Sequence, residues 1–313
     1  MIAAVILNYR TPDDTLLAVR SAQASRRPID EVIVIDNGGD DECRKALAPW
    51  RDSVRIIRSD GNAGFSGGCN LGIREALAAG ANLVLLLNSD AVIAPDTVER
   101  LEQALTDHPG AGIAAPLVAS RMEPGVVGSA GIRFSVSSGR MRHVGVGDPV
   151  EAWSAGPTQE ADAVSGCALL VKRAVFEAAG LFDERYFYSF EDIEFCWRAR
   201  RAGFGCLLAP SALALHEGHR SIGPASASRL YYAARNHLLL AASAAPVGRL
   251  RSVARCVSIV AFNLAYALRV PGIPVAAGLS AVLAGTADHL RGRYGPRARA
   301  RPKFPLKSRS LGR

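Results

Sequence analysis

Residues 83–90 read LVLLLNSD, in which five apolar residues run directly into Asn88, Ser89 and Asp90. A short run of Val and Leu that is apolar on both faces is typical of a buried strand in a parallel sheet. Ligands of such sheets bind beyond the carboxyl ends of the strands, where a carboxylate can hold a divalent cation. The stretch therefore predicts both an α/β fold and the edge of the sheet at which the site lies.

Three further apolar runs, and the segments between them, extend this pattern over the first half of the chain. The runs predict strands at Ile2–Leu7, Glu31–Ile35 and Val54–Ile57, and the segments predict helices at Asp13–Ala24, Glu42–Trp50 and Asn70–Ala79. Strands that alternate with helices predict a mostly parallel central sheet flanked by helices. The polar residues that follow the strands then share one rim: Asn8, Tyr9, Arg10, Asp36, Asn37, Asn88, Ser89 and Asp90.

A second acidic site opens a helix predicted at Glu191–Arg201, with Ser189 standing where an N-cap residue is expected. A cap requires neither the two adjacent acids Glu191 and Asp192 nor the aromatic run Tyr186–Tyr188 before them. Aromatic surroundings raise the pKa of a carboxyl group toward the range of a general base. Together with the first carboxylate, this pair suggests a metal-assisted group transfer with an anionic leaving group.

Two segments on the predicted rim have both a functional and a structural interpretation. Residues 36–39, Asp-Asn-Gly-Gly, are typical of a turn, but Asp36 could also bind the base or ribose of a nucleotide. Gly61–Asn70 is rich in glycine and leads into a helix, so its amides could cradle phosphate, and a flexible loop without a ligand fits as well. It matches neither GxxxxGK[ST] nor GxGxxG, which disfavours kinases and dehydrogenases.

The middle of the chain adds a histidine and a change of composition. His216 opens the sequence His-Glu-Gly-His, which is not HExxH, so zinc-protease chemistry is disfavoured. His216 could finish a metal or pyrophosphate site, or it could be an ordinary core or surface histidine. Gly131–Gly147 predicts a hairpin or a mobile loop, Ala168–Val171 a strand and Arg173–Ala179 a helix.

Charge is divided unevenly along the chain. Residues 1–217 carry 21 Lys and Arg against 28 Asp and Glu, whereas residues 218–313 carry 16 against one. A basic appendage of this kind is typical of a surface that meets a membrane or nucleic acid. A nucleic-acid-binding face would interleave its charges with aromatic residues, and the segment after Asp288 has few of them, so no nucleic-acid partner is expected.

The C-terminal part is predicted to be helical and to lie on a membrane. Leu230–Ala245 is Ala-rich and helix-like. Cys256–Leu268 is uncharged but short for a bilayer span, and prolines and glycines interrupt Val270–Ala287. An in-plane amphipathic or shallow hairpin element on anionic lipid is therefore favoured over a spanning helix and over a helical extension packed on the domain.

Composition predicts a globular chain in a reducing compartment. Of its 313 residues, 49% are hydrophobic, and its six cysteines show no CxxC spacing. The N-terminal apolar run is too short for a signal peptide. With the basic C-terminal part, these features predict a cytoplasmic protein at the inner face of the cell membrane. The predicted domains are 1–220 (the α/β part), 221–288 (helical and membrane-associated) and 289–313 (a basic flexible tail).

In their order, the motifs resemble those of the inverting glycosyltransferases of family 2, which have the GT-A fold, and within them the rhamnosyltransferase-like members. The matching stretches are VILNYRTPDDTLLAVRSA, EVIVIDNGGDD, GNAGFSGGCNLGI, NLVLLLNSDAVI, SGCALLVKRAVFEAAGLFDERYFYSFEDIEFCWRARRAGF, ALHEGHRS and YYAARNHLLL. The resemblance implies a GT-A catalytic domain followed by a helical, basic C-terminal extension.

The resemblance also implies roles for individual residues. Asp192 matches the catalytic base, with Glu191 beside it, Asp90 matches the metal-binding acid of a DxD-like motif, and His216 matches a histidine near the metal and diphosphate. Asp36 matches the acid that binds base and ribose, and the remaining donor-site residues are Asn8, Tyr9, Arg10, Asn62, Asn70 and Asn88. Mg²⁺ or Mn²⁺ is the implied cofactor, held weakly because Asn88 stands where a full DxD has an acid.

The implied reaction is a single inverting displacement that moves a sugar, with rhamnose favoured, from a dTDP- or UDP-linked donor. The acceptor would be a hydroxyl of a glycan or of a polyprenyl-linked glycan, at an anionic membrane surface. Galactofuranosyl or other hexosyl transfer is an alternative. A non-catalytic protein that binds nucleotide sugars or anionic surfaces is another, although it gives Glu191 and Asp192 no purpose. A nucleotidyltransferase would be expected to show more paired acids and a basic phosphate loop.

Overall fold

The computed structural model describes residues 1–39, 41–135, 137–217, 226–244 and 248–297. Its strands are β1 (Ile2–Asn8), β2 (Glu31–Asp36), β3 (Arg55–Arg58), β4 (Leu83–Asn88), β5 (Ala91–Ile93), β6 (Ala111–Ser120), β7 (Val127–Ser129), β8 (Ile132–Phe134), β9 (Met141–His143), β10 (Gln159–Ala161), β11 (Ala168–Lys172) and β12 (Gly205–His216). Its helices are α1 (Pro12–Gln23), α2 (Glu42–Ala46), α3 (Gly64–Ala78), α4 (Thr97–Asp107), α5 (Glu151–Ser154), α6 (Arg173–Ala179), α7 (Glu191–Arg201), α8 (Ala227–Ala244), α9 (Arg249–Ala267) and α10 (Val275–Leu290).

The central sheet confirms the predicted α/β class. Within the described residues its strand order is β10-β12-β6-β11-β4-β1-β2-β3, with β5 on β12 and β7 on β6. β1 is parallel to β2 and β4, β2 to β3, and β6 to β12, while β11 runs antiparallel between β4 and β6. The sheet is therefore mixed, and most of its longer strands run in one direction, as the GT-A fold requires.

Strand β1 explains why the first apolar run has no polar alternation. Its residues Ala3, Val5 and Leu7 pack in the core with α3 and α7, whereas Ile2, Ala4 and Ile6 pack in the core with α1 and α4. Successive side chains of a strand point to opposite faces, so burial of both faces requires apolar residues throughout. The parallel pairing of β1 with β4 brings the carboxyl ends of both strands to a common edge.

The predicted glycine-rich loop is mostly helix, which corrects the prediction for Gly61–Asn70. Helix α3 begins at Gly64, not at Asn70. A Cβ on Gly68 would overlap Leu7, and one on Gly72 would overlap Val5. These glycines therefore serve close packing of a helix on β1 and not loop flexibility.

Other predicted elements agree closely with the structure, with local exceptions. α6 and α7 have the predicted bounds, and β8 pairs with β9 as the predicted hairpin. The helix predicted at Glu42–Trp50 ends at Ala46, and a short 3₁₀ turn containing Pro49 follows, because proline interrupts helical hydrogen bonding.

The C-terminal helices α8, α9 and α10 form a cluster that packs on the segment containing Phe187 and Tyr188. α9 is long and apolar enough to cross a membrane by length and composition alone, and 22% of its apolar window is buried.

The described residues at the start of the predicted flexible tail bond to the rest of the protein. Gly295 N–H donates to Arg185 O over 3.0 Å, and Arg297 N–H donates to Tyr232 Oη over 2.8 Å. Residues 298–313 of that tail, and Ala245 of the predicted helix, lie outside the described residues.

Gly72→Ala tests the packing of α3 on β1. Alanine normally stabilises an exposed helix interior by about 1 kcal/mol relative to glycine. Here the added methyl group meets the fully buried Val5 and Ile35, so overpacking should dominate and lower the free energy of unfolding by about 1–2 kcal/mol. Urea unfolding measures this, with Gly110→Ala as control because nothing lies near Gly110. Equal stability of Gly72→Ala and wild type would contradict the packing account.

Candidate active site

A cavity of about 250 Å³ lies at the carboxyl ends of β1 and β4. Of the residues that the sequence predicted for the site, nine line it: Tyr9, Asn37, Asn62, Asn88, Ser89, Asp90, Glu191, Asp192 and His216. Aromatic and hairpin residues also line the cavity, among them Phe187, Tyr188, Phe190, Ile132, Met141 and His143. The two acidic sites, far apart in sequence, therefore share one space.

Asp90 and His216 meet because β5 pairs with the end of β12. In that pairing Ala91 lies opposite His216, which brings His216 Nε2 to 3.1 Å from Asp90 Oδ1. Asn88 Nδ2 lies 3.5 Å from the same nitrogen. No group of three or more His, Cys, Asp or Glu side chains suited to a metal occurs in the described part of the chain. The protein thus offers one carboxylate and one imidazole here, a set that leaves most of a cation's coordination shell to substrate oxygens and water.

Asp192 is held in place by two backbone N–H groups. Gly166 N–H donates to Oδ2 over 2.9 Å and Ile193 N–H donates to Oδ1 over 2.8 Å. Burial raises the pKa of Asp192 above its usual range, while the bond from Gly166 and the nearby His143 oppose the rise. A fixed carboxylate with a raised pKa suits a general base.

The side chain of Glu191 is more deeply buried than that of the adjacent Asp192. Only 7% of the residue is exposed, and Oε2 has no hydrogen-bond partner among the described residues. Burial and, second, the charge of Asp192 raise the pKa of Glu191 well above its usual range. The same environment raises the pKa of Tyr188 to about 12, chiefly through burial and then through Glu191. We therefore assign Glu191 as the member of the pair that burial makes easier to protonate, and Asp192 as the member that ionises more readily.

The segment before α7 has an unusual backbone that corrects the prediction for Ser189. Phe187, Ser189 and Phe190 have φ of 46°, 71° and 74°. Phe190, not Ser189, occupies the N-cap position, and no side chain caps the helix. Helix α3 approaches closely here: Phe65 N–H donates to Phe187 O over 2.6 Å, and a Cβ on Gly64 would overlap that carbonyl.

Four predicted donor-site residues do not line the cavity. The side chains of three of them, Asn8, Asp36 and Asn70, make hydrogen bonds within the protein. Asn8 Nδ2 donates to Asp36 Oδ1 over 3.1 Å, and that oxygen also accepts the N–H groups of Gly38 and Gly39. Asn70 is buried and bonds both the N–H and the carbonyl of Phe182. The fourth residue, Arg10, is exposed with a φ of 58°.

Two sets of residues near the site were missed. Gly166 lies in a stretch quoted for the resemblance but was given no role, and the hairpin residues Met141 and His143 carried no motif. Asn236 and His237 on α8 do carry a signal, since they form a polar pair within an apolar helix in YYAARNHLLL. Asn236 Nδ2 donates to the carbonyls of Tyr186, Tyr188 and Ser189. His237 stacks on Phe190 with ring centroids 4.9 Å apart.

The family model described as Glycosyl transferase family 2 matches residues 3–176. A curated relative is the low-salt glycan biosynthesis hexosyltransferase Agl10 of Haloferax volcanii, 29% identical over 64% of this chain; the chain spans 62% of that relative, less than two thirds of its length. Another is the N-acetylglucosaminyl-diphospho-decaprenol L-rhamnosyltransferase of Mycobacterium tuberculosis, 31% identical over 66% of this chain and 72% of that protein.

Solved structures show the same fold. The mannosyltransferase PcManGT from Pyrobaculum calidifontis, in complex with GDP-Man and Mn²⁺, superposes with a TM-score of 0.60 at 16% identity. The match covers 93% of this chain and 87% of that one.

Glu191→Gln tests the assignment of Glu191 as the neutral acid. Because the folded-state pKa is raised, the folded protein holds more protons than the unfolded one, so wild-type stability falls as pH rises from the unfolded pKa toward the folded one. Glutamine removes this loss without changing the shape. We therefore expect unfolding free energies, measured by urea titration, to diverge in favour of Glu191→Gln as the pH rises above the ordinary pKa of a glutamate.

The exposed Glu160 provides the control, since Glu160→Gln should follow the wild-type pH profile. If Glu191→Gln and wild type lose stability in parallel as the pH rises, Glu191 is ionised in the folded protein and its assignment is wrong.

Proposed function

The chain belongs to glycosyl transferase family 2, and from that premise we propose that it transfers a sugar from a nucleoside-diphosphate donor to a hydroxyl of a glycan or lipid-linked acceptor. The observation that carries this proposal is the shared cavity, in which Asp90 and His216 face the ordered carboxylate of Asp192. A site for the charge of a leaving diphosphate and a base for an attacking hydroxyl are the two requirements of glycosyl transfer. Rhamnose from dTDP-rhamnose is the favoured donor sugar, supported by the rhamnosyltransferase relative, with UDP-sugars as the alternative.

The proposed mechanism is a single displacement with inversion. Asp192 accepts the proton of the acceptor hydroxyl while that oxygen forms its bond to the anomeric carbon and the bond from this carbon to the diphosphate oxygen breaks. The two N–H donors keep Asp192 oriented, and its raised pKa increases its basicity. Neutral Glu191 adds no second negative charge beside the base, and the aromatic wall limits the access of water, which would otherwise compete as acceptor.

Asp90 and His216 fit a divalent cation of the Mg²⁺ or Mn²⁺ class. Asp90 provides a hard oxygen ligand and His216 a nitrogen ligand within the same cavity. When bound, such a cation would stabilise the negative charge on the departing nucleoside diphosphate. Asn37 and Asn62 line the neighbouring part of the cavity, and we assign the nucleoside to that side.

The C-terminal helices are proposed to place the enzyme on the cytoplasmic face of an anionic membrane. α9 exposes Leu250, Val253, Val257, Phe262 and Tyr266, each at least half exposed. Arg249, Arg251 and Arg269 lie at its two ends. An exposed apolar face flanked by arginine is the pattern of an interfacial helix, in which the apolar residues enter the acyl boundary and the cations meet anionic headgroups.

Asp192→Asn and Asp90→Ala separate the two halves of the site. Asp192→Asn should lower kcat for sugar transfer or donor hydrolysis about 10²- to 10⁴-fold, because the base is lost, and should retain donor binding. Asp90→Ala should weaken the metal-dependent binding of dTDP- or UDP-sugars, as a chelator should in wild type. Calorimetric titration and product analysis across dTDP-, UDP- and GDP-sugars measure both effects.

Asp107→Asn, an exposed change at the end of α4, is the control for these variants. If wild type binds and consumes no nucleotide sugar, the proposed function is wrong. If Asp192→Asn turns over at the wild-type rate, the base is a different group.

Phe262→Asp tests the membrane surface. Phe262 is 51% exposed, so the change should leave the fold intact while weakening binding to phosphatidylglycerol vesicles by about tenfold. Vesicle sedimentation measures the binding, and Leu17→Asp on α1 is the matched control, since Leu17 is also exposed. Equal binding by both variants and wild type would exclude α9 as the docking face.

A further inference from the structure

Arg229, in the first turn of α8, contacts α9 and belongs to the part of α8 that packs on the cavity residue Tyr188. Its Nη2 donates to Tyr266 Oη over 3.0 Å. Tyr266 is 50% exposed and belongs to the apolar face of α9. One side of Arg229 is thus tied to the surface that we assign to the membrane.

The other side of Arg229 faces the active site through Tyr188. Tyr188 lines the cavity and also packs against the cluster formed by α8, α9 and α10. Tyr232, three residues after Arg229 and therefore on the same side of α8, contacts the Tyr188 ring with centroids 6.2 Å apart. Arg229 thus lies one helical turn from a contact with the cavity wall, and its charge opposes the rise in the pKa of Tyr188 that burial and Glu191 cause.

We propose that Arg229 binds the phosphate groups of a lipid-linked acceptor whose sugar reaches Asp192 and whose lipid lies against α9. This inference rests on the proposed function and names the acceptor class: a sugar joined through a diphosphate to a polyprenyl chain. In such a molecule the diphosphate joins the sugar to the lipid, and Arg229 contacts the apolar face of α9 from the part of α8 that packs on Tyr188. A guanidinium group suits this place because its planar fork of N–H donors matches two phosphate oxygens at once.

Binding of two probes to the full chain tests the inference without requiring turnover. N-acetylglucosaminyl diphosphofarnesol carries the diphosphate, and octyl N-acetylglucosaminide lacks it. Arg229→Ala should weaken binding of the first probe by about tenfold, since charge-assisted hydrogen bonds are lost, and should leave the second within error. Arg229→Lys keeps the charge but not the fork and should recover part of the affinity.

Two control variants distinguish phosphate binding from other roles of Arg229. Tyr266→Phe removes the hydroxyl that accepts from Arg229 and keeps the ring, so it should bind the diphosphate probe as wild type does. Arg44→Ala removes an exposed cation from α2, which does not line the cavity, and should also bind as wild type does. If Tyr266→Phe reproduces Arg229→Ala, Arg229 only joins α8 to α9; if Arg44→Ala does so, the effect is general surface charge.

The remaining outcomes show whether Arg229 binds the diphosphate of the acceptor or the diphosphate of the nucleotide-sugar donor. If wild type does not bind the diphosphate probe, or Arg229→Ala binds it equally well, the inference is wrong. If Arg229→Ala instead raises the Kd of the dTDP- or UDP-sugar donor, Arg229 serves the donor diphosphate and the inference is also wrong. Donor hydrolysis by wild type reports separately on the proposed function, so the failure of one is distinguishable from the failure of the other.

Discussion

The side-chain amide of Asn236 holds the strained segment that leads into helix α7. Its Nδ2 lies 2.6, 2.7 and 2.9 Å from the carbonyl oxygens of Tyr186, Tyr188 and Ser189, and Asn236 is fully buried. Non-glycine residues with positive φ, of which this segment has three, cost about 1–3 kcal/mol each. Hydrogen bonds contribute about 1 kcal/mol each, so Asn236 offsets only part of the strain, and the aromatic packing of the segment must supply the rest.

This constraint connects the C-terminal helices to the site. Arg235 is almost completely buried and donates to the carbonyls of Arg185 and Gly295. His237 contacts Phe190 on one side and Gly139 at the tip of the β8–β9 hairpin on the other. Three consecutive residues of α8 therefore contact the segment before Glu191 and the hairpin that lines the cavity. The helical extension is part of the site's framework, as well as a candidate membrane surface.

The sequence predicted the parallel strands β1 to β4, the strand β11 and the polar residues at strand ends, but not β6 and β12, the longest strands that the structure describes. The apolar runs of β1, β2 and β4 were recognisable because both faces of these strands are buried. The acids Asp90, Glu191 and Asp192 were recognisable because they directly follow a strand or begin a helix. Each of these signals is local in sequence, and the structure contains the strands and the helix start that they predicted.

The features that could not be predicted depend on contacts between distant segments. Gly68 and Gly72 resemble loop glycines until the overlap with Leu7 and Val5 is visible. Ser189 resembles a helix cap, but its backbone is held in a left-handed conformation by the segment's contacts with α8. Asn70 and Asp36, which stay predicted donor-site residues, also hold neighbouring backbone through contacts that the sequence did not indicate.

The most direct test of the central claim is the anomeric configuration of the first-formed product when wild type consumes dTDP-rhamnose or a UDP-sugar with Mn²⁺. Time-resolved proton NMR can observe it before the free sugar mutarotates. A single displacement assisted by Asp192 predicts a product of configuration opposite to that of the donor. Retention of configuration would contradict this mechanism, and the absence of donor consumption with every nucleotide sugar would contradict the assignment of the cavity as a glycosyltransferase site.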